Sequence, residues 1–129
     1  AAINVYEQEG LVERSRTLGE WMHHRLREIA ANHPSVGDVR DIGLFAALEL
    51  VSDPISRAPA VVWPLTPPSL SRLSKEAKNR GAVFGVRGNL LIICPPLNIE
   101  EADLAWALDL LDELLVITDE DCLVDVAEF

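Results

Sequence analysis

Leu90-Leu91-Ile92-Ile93-Cys94-Pro95-Pro96-Leu97-Asn98-Ile99-Glu100-Glu101 contains the change of structure that decides the fold. The apolar run from Leu90 to Cys94 is too short for a helix and reads as a buried strand. Pro95 and Pro96 have no amide hydrogen to donate, so the ladder stops there. Asn98 stands three residues before Glu101, a spacing at which an asparagine can take the serine position of a capping box and open a helix. Leu104, Leu108, Leu111 and Leu115 follow at steps of three and four and give that helix one apolar face.

Upstream, Ala82 to Val86 reads as a partner strand, joined through Arg87-Gly88-Asn89. Gly88-Asn89 suits the positive backbone angles of a tight hairpin. Ser69 to Arg80 is expected to be a helix with Leu70, Leu73 and Ala77 inside, capped by Gly81. Ser52 to Pro68 contains Pro54, Pro59, Pro64, Pro67 and Pro68, which exclude regular structure. A loop of that length in a compact domain points to function or to an interface.

Val36 to Val51 reads as extended, with the apolar run from Leu44 to Val51 as a buried strand and Gly37 and Gly43 as punctuation. Leu11, Ser15, Leu18, Met22, Leu26 and Ile29 share one face of a long helix that ends at Asn32-His33-Pro34. Ala1 to Glu9 is a shorter helical piece, broken at Gly10. From Thr118 the pattern lapses, and residues 118–129 are expected to be an acidic, mobile tail. The order helix, strand, helix, strand pair, helix predicts an α+β fold. It is a small mixed or antiparallel sheet with helices on one face, one domain over residues 1–117.

The chain has 129 residues, room for one domain with a core of its own. A net charge of −10 argues against a nucleic-acid partner, which would need clustered Lys and Arg. No apolar run is long enough to span a membrane, and there is no signal-peptide layout, so a soluble cytoplasmic protein is expected. Lysine is scarce beside the acidic residues, which would suit high salt and would equally follow from genome composition. The chain opens at Ala1, and its one methionine is Met22, so excision from something longer is expected. Cys94 and Cys122 form no motif, and Cys94 in its apolar run is expected to be a buried thiol. His23 and His24 are adjacent on a helix, cannot share a metal, and read as solvated.

Four landmarks in order carry a resemblance. Glu9-Gly10-Leu11-Val12-Glu13-Arg14 is similar to the helix junction that opens the C-terminal small domain of class-III, pyridoxal-phosphate-dependent aminotransferases. Gly37-Asp38-Val39-Arg40, then Gly43-Leu44 and a strand ending Glu49-Leu50-Val51, resembles that family's strand with its substrate-side arginine. Lys78-Asn79-Arg80-Gly81 with Ala82-Val83-Phe84 resembles its helix-to-strand step. Ile92 to Glu101 resembles its strand, double proline and final helix. Ser52-Asp53-Pro54 and Trp63-Pro64 look most like the omega branch. The family usually has glycine where this chain has Asp41.

The resemblance implies the small domain of a fold-type-I enzyme. That domain closes over pyridoxal 5'-phosphate held by a separate large domain of the same parent chain, usually in a homodimer. The implied reaction moves an amino group from an amino acid or omega-amino donor to a 2-oxo acid such as pyruvate. Arg40 is then the candidate for holding the substrate carboxylate, with pairing to Asp38 or Asp41 as the plainer alternative. Arg87 is the second substrate-binding candidate, otherwise the solvated tip of a hairpin. Its spacing to Pro95-Pro96 is short for the family. Trp63 reads as an entrance residue or as an anchor of its loop. Lys75 and Lys78, one turn apart on an exposed helix, read as solvated, so no catalytic residue and no bound cofactor are expected on this chain. The competing reading is a stand-alone interaction or dimerisation module with the same fold.

Overall fold

The computed structural model describes residues 1–123. Helices α1 (Ala2–Gln8) and α2 (Leu11–Asn32) lead into strands β1 (Val36–Ile42) and β2 (Phe45–Leu50). After the proline loop come α3 (Pro68–Asn79), β3 (Gly85–Arg87), β4 (Leu90–Ile93), α4 (Glu101–Leu114) and α5 (Val116–Leu123). The four strands form one sheet in the order β1-β2-β4-β3, and every pairing is antiparallel. The α+β class and the sheet covered on one face are as expected. No helix among the described residues is long and apolar enough to cross a membrane.

Burial follows the period-two rule of strands. Ala46, Leu48 and Leu50 of β2 and Leu91 and Ile93 of β4 are buried against the helices, while Ala47, Glu49, Leu90 and Ile92 between them are only partly covered. The helical side of the core is Met22, Leu26 and Ile29 of α2, Leu70 and Leu73 of α3, and Leu104, Leu108 and Leu111 of α4. Each fully buried leucine contributes roughly 1.5–3 kcal/mol by removal from water. α1 buries none of its residues and lies outside this core.

Three local expectations are corrected. Val36 to Val51 is a hairpin rather than one strand, because Gly43 at φ 54 turns the chain between β1 and β2. Helix α2 rests directly on that turn: a Cβ on Gly19 would lie 2.3 Å from the Gly43 carbonyl oxygen, and the Leu44 amide donates to Ser15 Oγ at 3.1 Å. Ala82 to Phe84 is not strand. The cap predicted at Gly81 closes α3 through Ala82 N to Ala77 O and Gly81 N to Lys78 O, and Ala82 and Phe84 then turn into the core before β3 begins. The capping box at Asn98 does not form. Glu100 is the N-cap and makes no side-chain cap bond. What fixes this entry is Arg14 of α2, which donates to the carbonyls of Leu97 and Ile99.

The expected tail is also corrected over its first residues. The chain continues as α5 to Leu123, with Thr118, Asp119 and Cys122 buried; residues 124–129 lie outside the described residues. Asp119 is held by His33 at the end of α2. His33 Nδ1 lies 2.5 Å from Asp119 Oδ2, and its Nε2 lies 2.9 Å from Asp112 Oδ1 of α4. Ser35 donates from its amide and hydroxyl to Asp119 Oδ1, and Arg25 donates to Asp112 and Asp109. Cys122 donates to the Val51 carbonyl. With a carboxylate at each ring nitrogen, His33 is set up to donate twice, as an imidazolium. Burial pushes its pKa down, and the hydrogen bonds and charges of Asp119 and Asp112 outweigh that, leaving it above the usual histidine value.

A folded-state pKa above the unfolded one stabilises the fold fully below about pH 6.5, and that contribution is lost as pH rises through the raised value. The urea midpoint of the chain should therefore fall as pH rises above about 6.5. His33→Gln should flatten this slope and cost about 3 kcal/mol at pH 6, the lower end for breaking a buried pair because Asp112 is partly exposed. Equal slopes in the two proteins would contradict this.

Candidate functional site

The uncovered face of the sheet carries the candidate residues. Register places Arg40 opposite Ala47, Ala47 opposite Ile92, and Ile92 opposite Gly85. The adjoining row is Asp38, Glu49, Leu90 and Arg87. Arg40 and Arg87 thus share one face but stand on opposite edge strands, three interstrand spacings or roughly 14 Å apart across the sheet, and one row apart along it. Ile42 and Phe45 lie exposed beside Arg40, so the face mixes apolar surface with two cations. A hollow of about 670 Å³ between α2 and α4, lined by Glu13, Arg14, Thr17, Trp21, Glu101 and Ala105, includes neither arginine.

Arg40 is solvated and paired with carboxylates. Its side chain is 57% exposed, and Nη2 donates to Glu49 Oε2 at 2.6 Å, with Asp38 at 3.8 Å from Nε. Asp41 points to the other face, 2.9 Å from Arg27 Nη2 and 3.2 Å from His23 Nδ1, and does not contact Arg40. That corrects the reading of His23 as solvated, since its side chain is only 13% exposed. His24 is exposed, as expected. Cys94 is exposed and Cys122 is the buried thiol, because β4 ends at Ile93 and Cys94 lies past the last ladder pair.

Arg87 lies over the indole of Trp63, its guanidinium carbon 5.5 Å from the ring centroid. Trp63 is therefore an anchor of its loop. The ring packs on the tip of the β3–β4 hairpin, where Gly88 has φ 59 and a Cβ would lie 2.7 Å from the indole. In sequence Asn89 is only a turn former. Its side chain donates to the Val61 carbonyl at 2.9 Å and accepts from the Val61 amide at 3.1 Å. No local signal could have shown this bond, which joins residues 28 apart.

Among the described residues, no group of His, Cys, Asp and Glu side chains could hold a metal ion. Lys75 and Lys78 are exposed on α3, with no dry pocket around either amine. A lysine that binds pyridoxal phosphate needs such a pocket to lower its pKa, so the lysines of this chain do not fit that cofactor.

Two solved aminotransferases share this architecture. Taurine:2-oxoglutarate aminotransferase from Bifidobacterium kashiwanohense, solved in complex with PLP and glutamate, superposes with a TM-score of 0.85 at 26% identity over 92% of this chain and 27% of that one. A Bacillus anthracis aminotransferase does so at 0.78 and 28% identity, over 88% of this chain and 26% of that one. Among curated relatives, 5-aminovalerate aminotransferase of Pseudomonas aeruginosa is 33% identical over 116 residues, covering 88% of this chain and 26% of that protein. Isoleucine 2-epimerase of Lentilactobacillus buchneri is 37% identical over 114 residues, covering 88% of this chain and 24% of that protein. Residues 1–115 match the family described as aminotransferase class-III, and the chain belongs to that family. It spans about a quarter of the length of the curated relatives it matches.

Gly88→Ala should lower the melting temperature more than Gly10→Ala. Both glycines have φ near 60, a left-handed conformation costing a side chain roughly 1–3 kcal/mol, but a Cβ at Gly10 meets nothing within 4 Å. Equal losses would mean that Trp63 does not pack on the hairpin tip in solution.

Proposed function

We propose that this chain is the C-terminal small domain of an omega-type class-III aminotransferase. Alone it is inactive, and it docks on a large domain of the same parent that holds pyridoxal 5'-phosphate. The parent moves an amino group from an amino acid or omega-amino donor to a 2-oxo acid, and works as a cytoplasmic homodimer. The observation that carries this reading is the open sheet face. It presents two arginines and unpartnered apolar side chains, on a family member whose own lysines do not fit the cofactor.

Arg40 holds the substrate carboxylate. Its planar fork fixes the orientation of a carboxylate, which a point charge does not. Glu49 occupies that fork here, and an exposed pair of this kind is worth at most about 1 kcal/mol. A substrate carboxylate can therefore displace Glu49 once a second domain covers the face and excludes water, because the same bond strengthens as the surroundings dry. Arg87, at the far edge, receives a second acidic group where the substrate has one.

In the complete enzyme, Arg40→Ala should lower kcat/KM for a carboxylate-bearing donor by about ten- to a hundredfold, the loss expected for a hydrogen-bonded charge. A simple amine donor should be spared. Equal loss on both donors would remove Arg40 from substrate binding. Epimerisation of an amino acid with no amino transfer would replace the transaminase reading.

A further inference from the structure

Arg87 differs from most arginines of this acidic chain. Arg16, Arg25, Arg27, Arg40 and Arg80 lie against carboxylates, and Arg14 against two carbonyls. Among the described residues, no carboxylate stands within ion-pair distance of Arg87, and its partner is the face of an indole. Arg57 also lacks a carboxylate, but it sits at a loop tip in a left-handed conformation. A guanidinium held over an aromatic face with no carboxylate beside it keeps N–H donors available to an anion.

The ring under Arg87 is itself held. Gly88 lets the indole lie directly on the hairpin backbone. The amide of Asn89 then copies a strand pairing, donating to and accepting from Val61, two residues before Trp63. Loop, hairpin tip and guanidinium are thus joined in series, with Asn89 acting on the loop and not on the guanidinium itself.

We propose that Asn89 and Trp63 are positioning residues for Arg87. Asn89 fastens the proline loop across the hairpin tip, which seats the indole. The indole then presents the guanidinium edge to the second acidic group of a dicarboxylic substrate. This rests on the assignment of Arg87 to substrate binding.

The first test uses the chain itself. The Arg87 side-chain protons nearest the guanidinium, which lies over the indole, should be shifted upfield in the proton NMR spectrum. Trp63→Leu should abolish that shift, Trp63→Phe should keep part of it, and Asn89→Ala should lose most of it. An unchanged shift in Asn89→Ala overturns the proposal, and Trp63→Phe keeps the test decisive if the alanine variant does not fold. The second test compares 2-oxoglutarate with pyruvate in the complete enzyme. Trp63→Leu and Asn89→Ala should each raise KM for 2-oxoglutarate relative to pyruvate by roughly three- to tenfold, the range of a lost cation–π contact. If Arg87→Ala changes that ratio and these two variants do not, the positioning role is wrong. If Arg87→Ala also leaves it unchanged, the assignment of Arg87 has failed first.

Discussion

Leu48, at the centre of the sheet between Val39 and Leu91, faces the helices, and its row determines which side of the sheet is buried. Strand side chains alternate, so burying Ala46, Leu48, Leu50, Leu91 and Ile93 on one face commits Arg40, Ala47, Glu49 and Ile92 to the other. A one-residue slip would place Glu49 in the core and Leu48 in water, a loss of several kcal/mol from desolvated charge and exposed leucine alone. The alternation that builds the core therefore also aims both candidate arginines outward. The helices cover only one side, and the apolar residues left on the other give a second body something to bury.

The remaining helices are tied to this layer by long-range polar contacts. Arg14 and His33, both from the first third of the chain, reach the entry of α4 and the middle of α5. His33 and Arg25 hold the carboxylates of Asp119 and Asp112 in a chain of net charge −10, where a buried carboxylate needs hydrogen-bonded partners. Part of what looks like acidic excess is therefore neutralised inside the fold.

Periodic segments were legible from sequence: the apolar face of α2, α3 with its glycine cap, the β3–β4 hairpin tip, and the leucines of α4. Their signals are local, because period and cap chemistry lie within a few residues. The misreadings came from contacts that local patterns cannot carry. Arg14 acts 83 residues away from Leu97, so Asn98 was credited with a cap it does not make. His33 meets Asp119 across 86 residues, so the start of α5 read as a loose tail. In sequence Gly43 is only punctuation, and the pairing of Ile42 with Phe45 shows that it turns the chain back on itself. At the candidate site, the residue types of Arg40 and Arg87 were readable. Their placement on one face, the pairing of Arg40 with Glu49, and the part of Asn89 were not.

The sheet face carries two guanidinium groups, and neither lysine of the chain fits the cofactor. The most direct measurement is to incubate the purified chain with pyridoxal phosphate, reduce with borohydride, and weigh the product by mass spectrometry. A chain that leaves cofactor chemistry to another domain gives no single stoichiometric adduct. One clean adduct on Lys75 or Lys78, accompanied by amino-group transfer, would show that the chain carries an active site of its own.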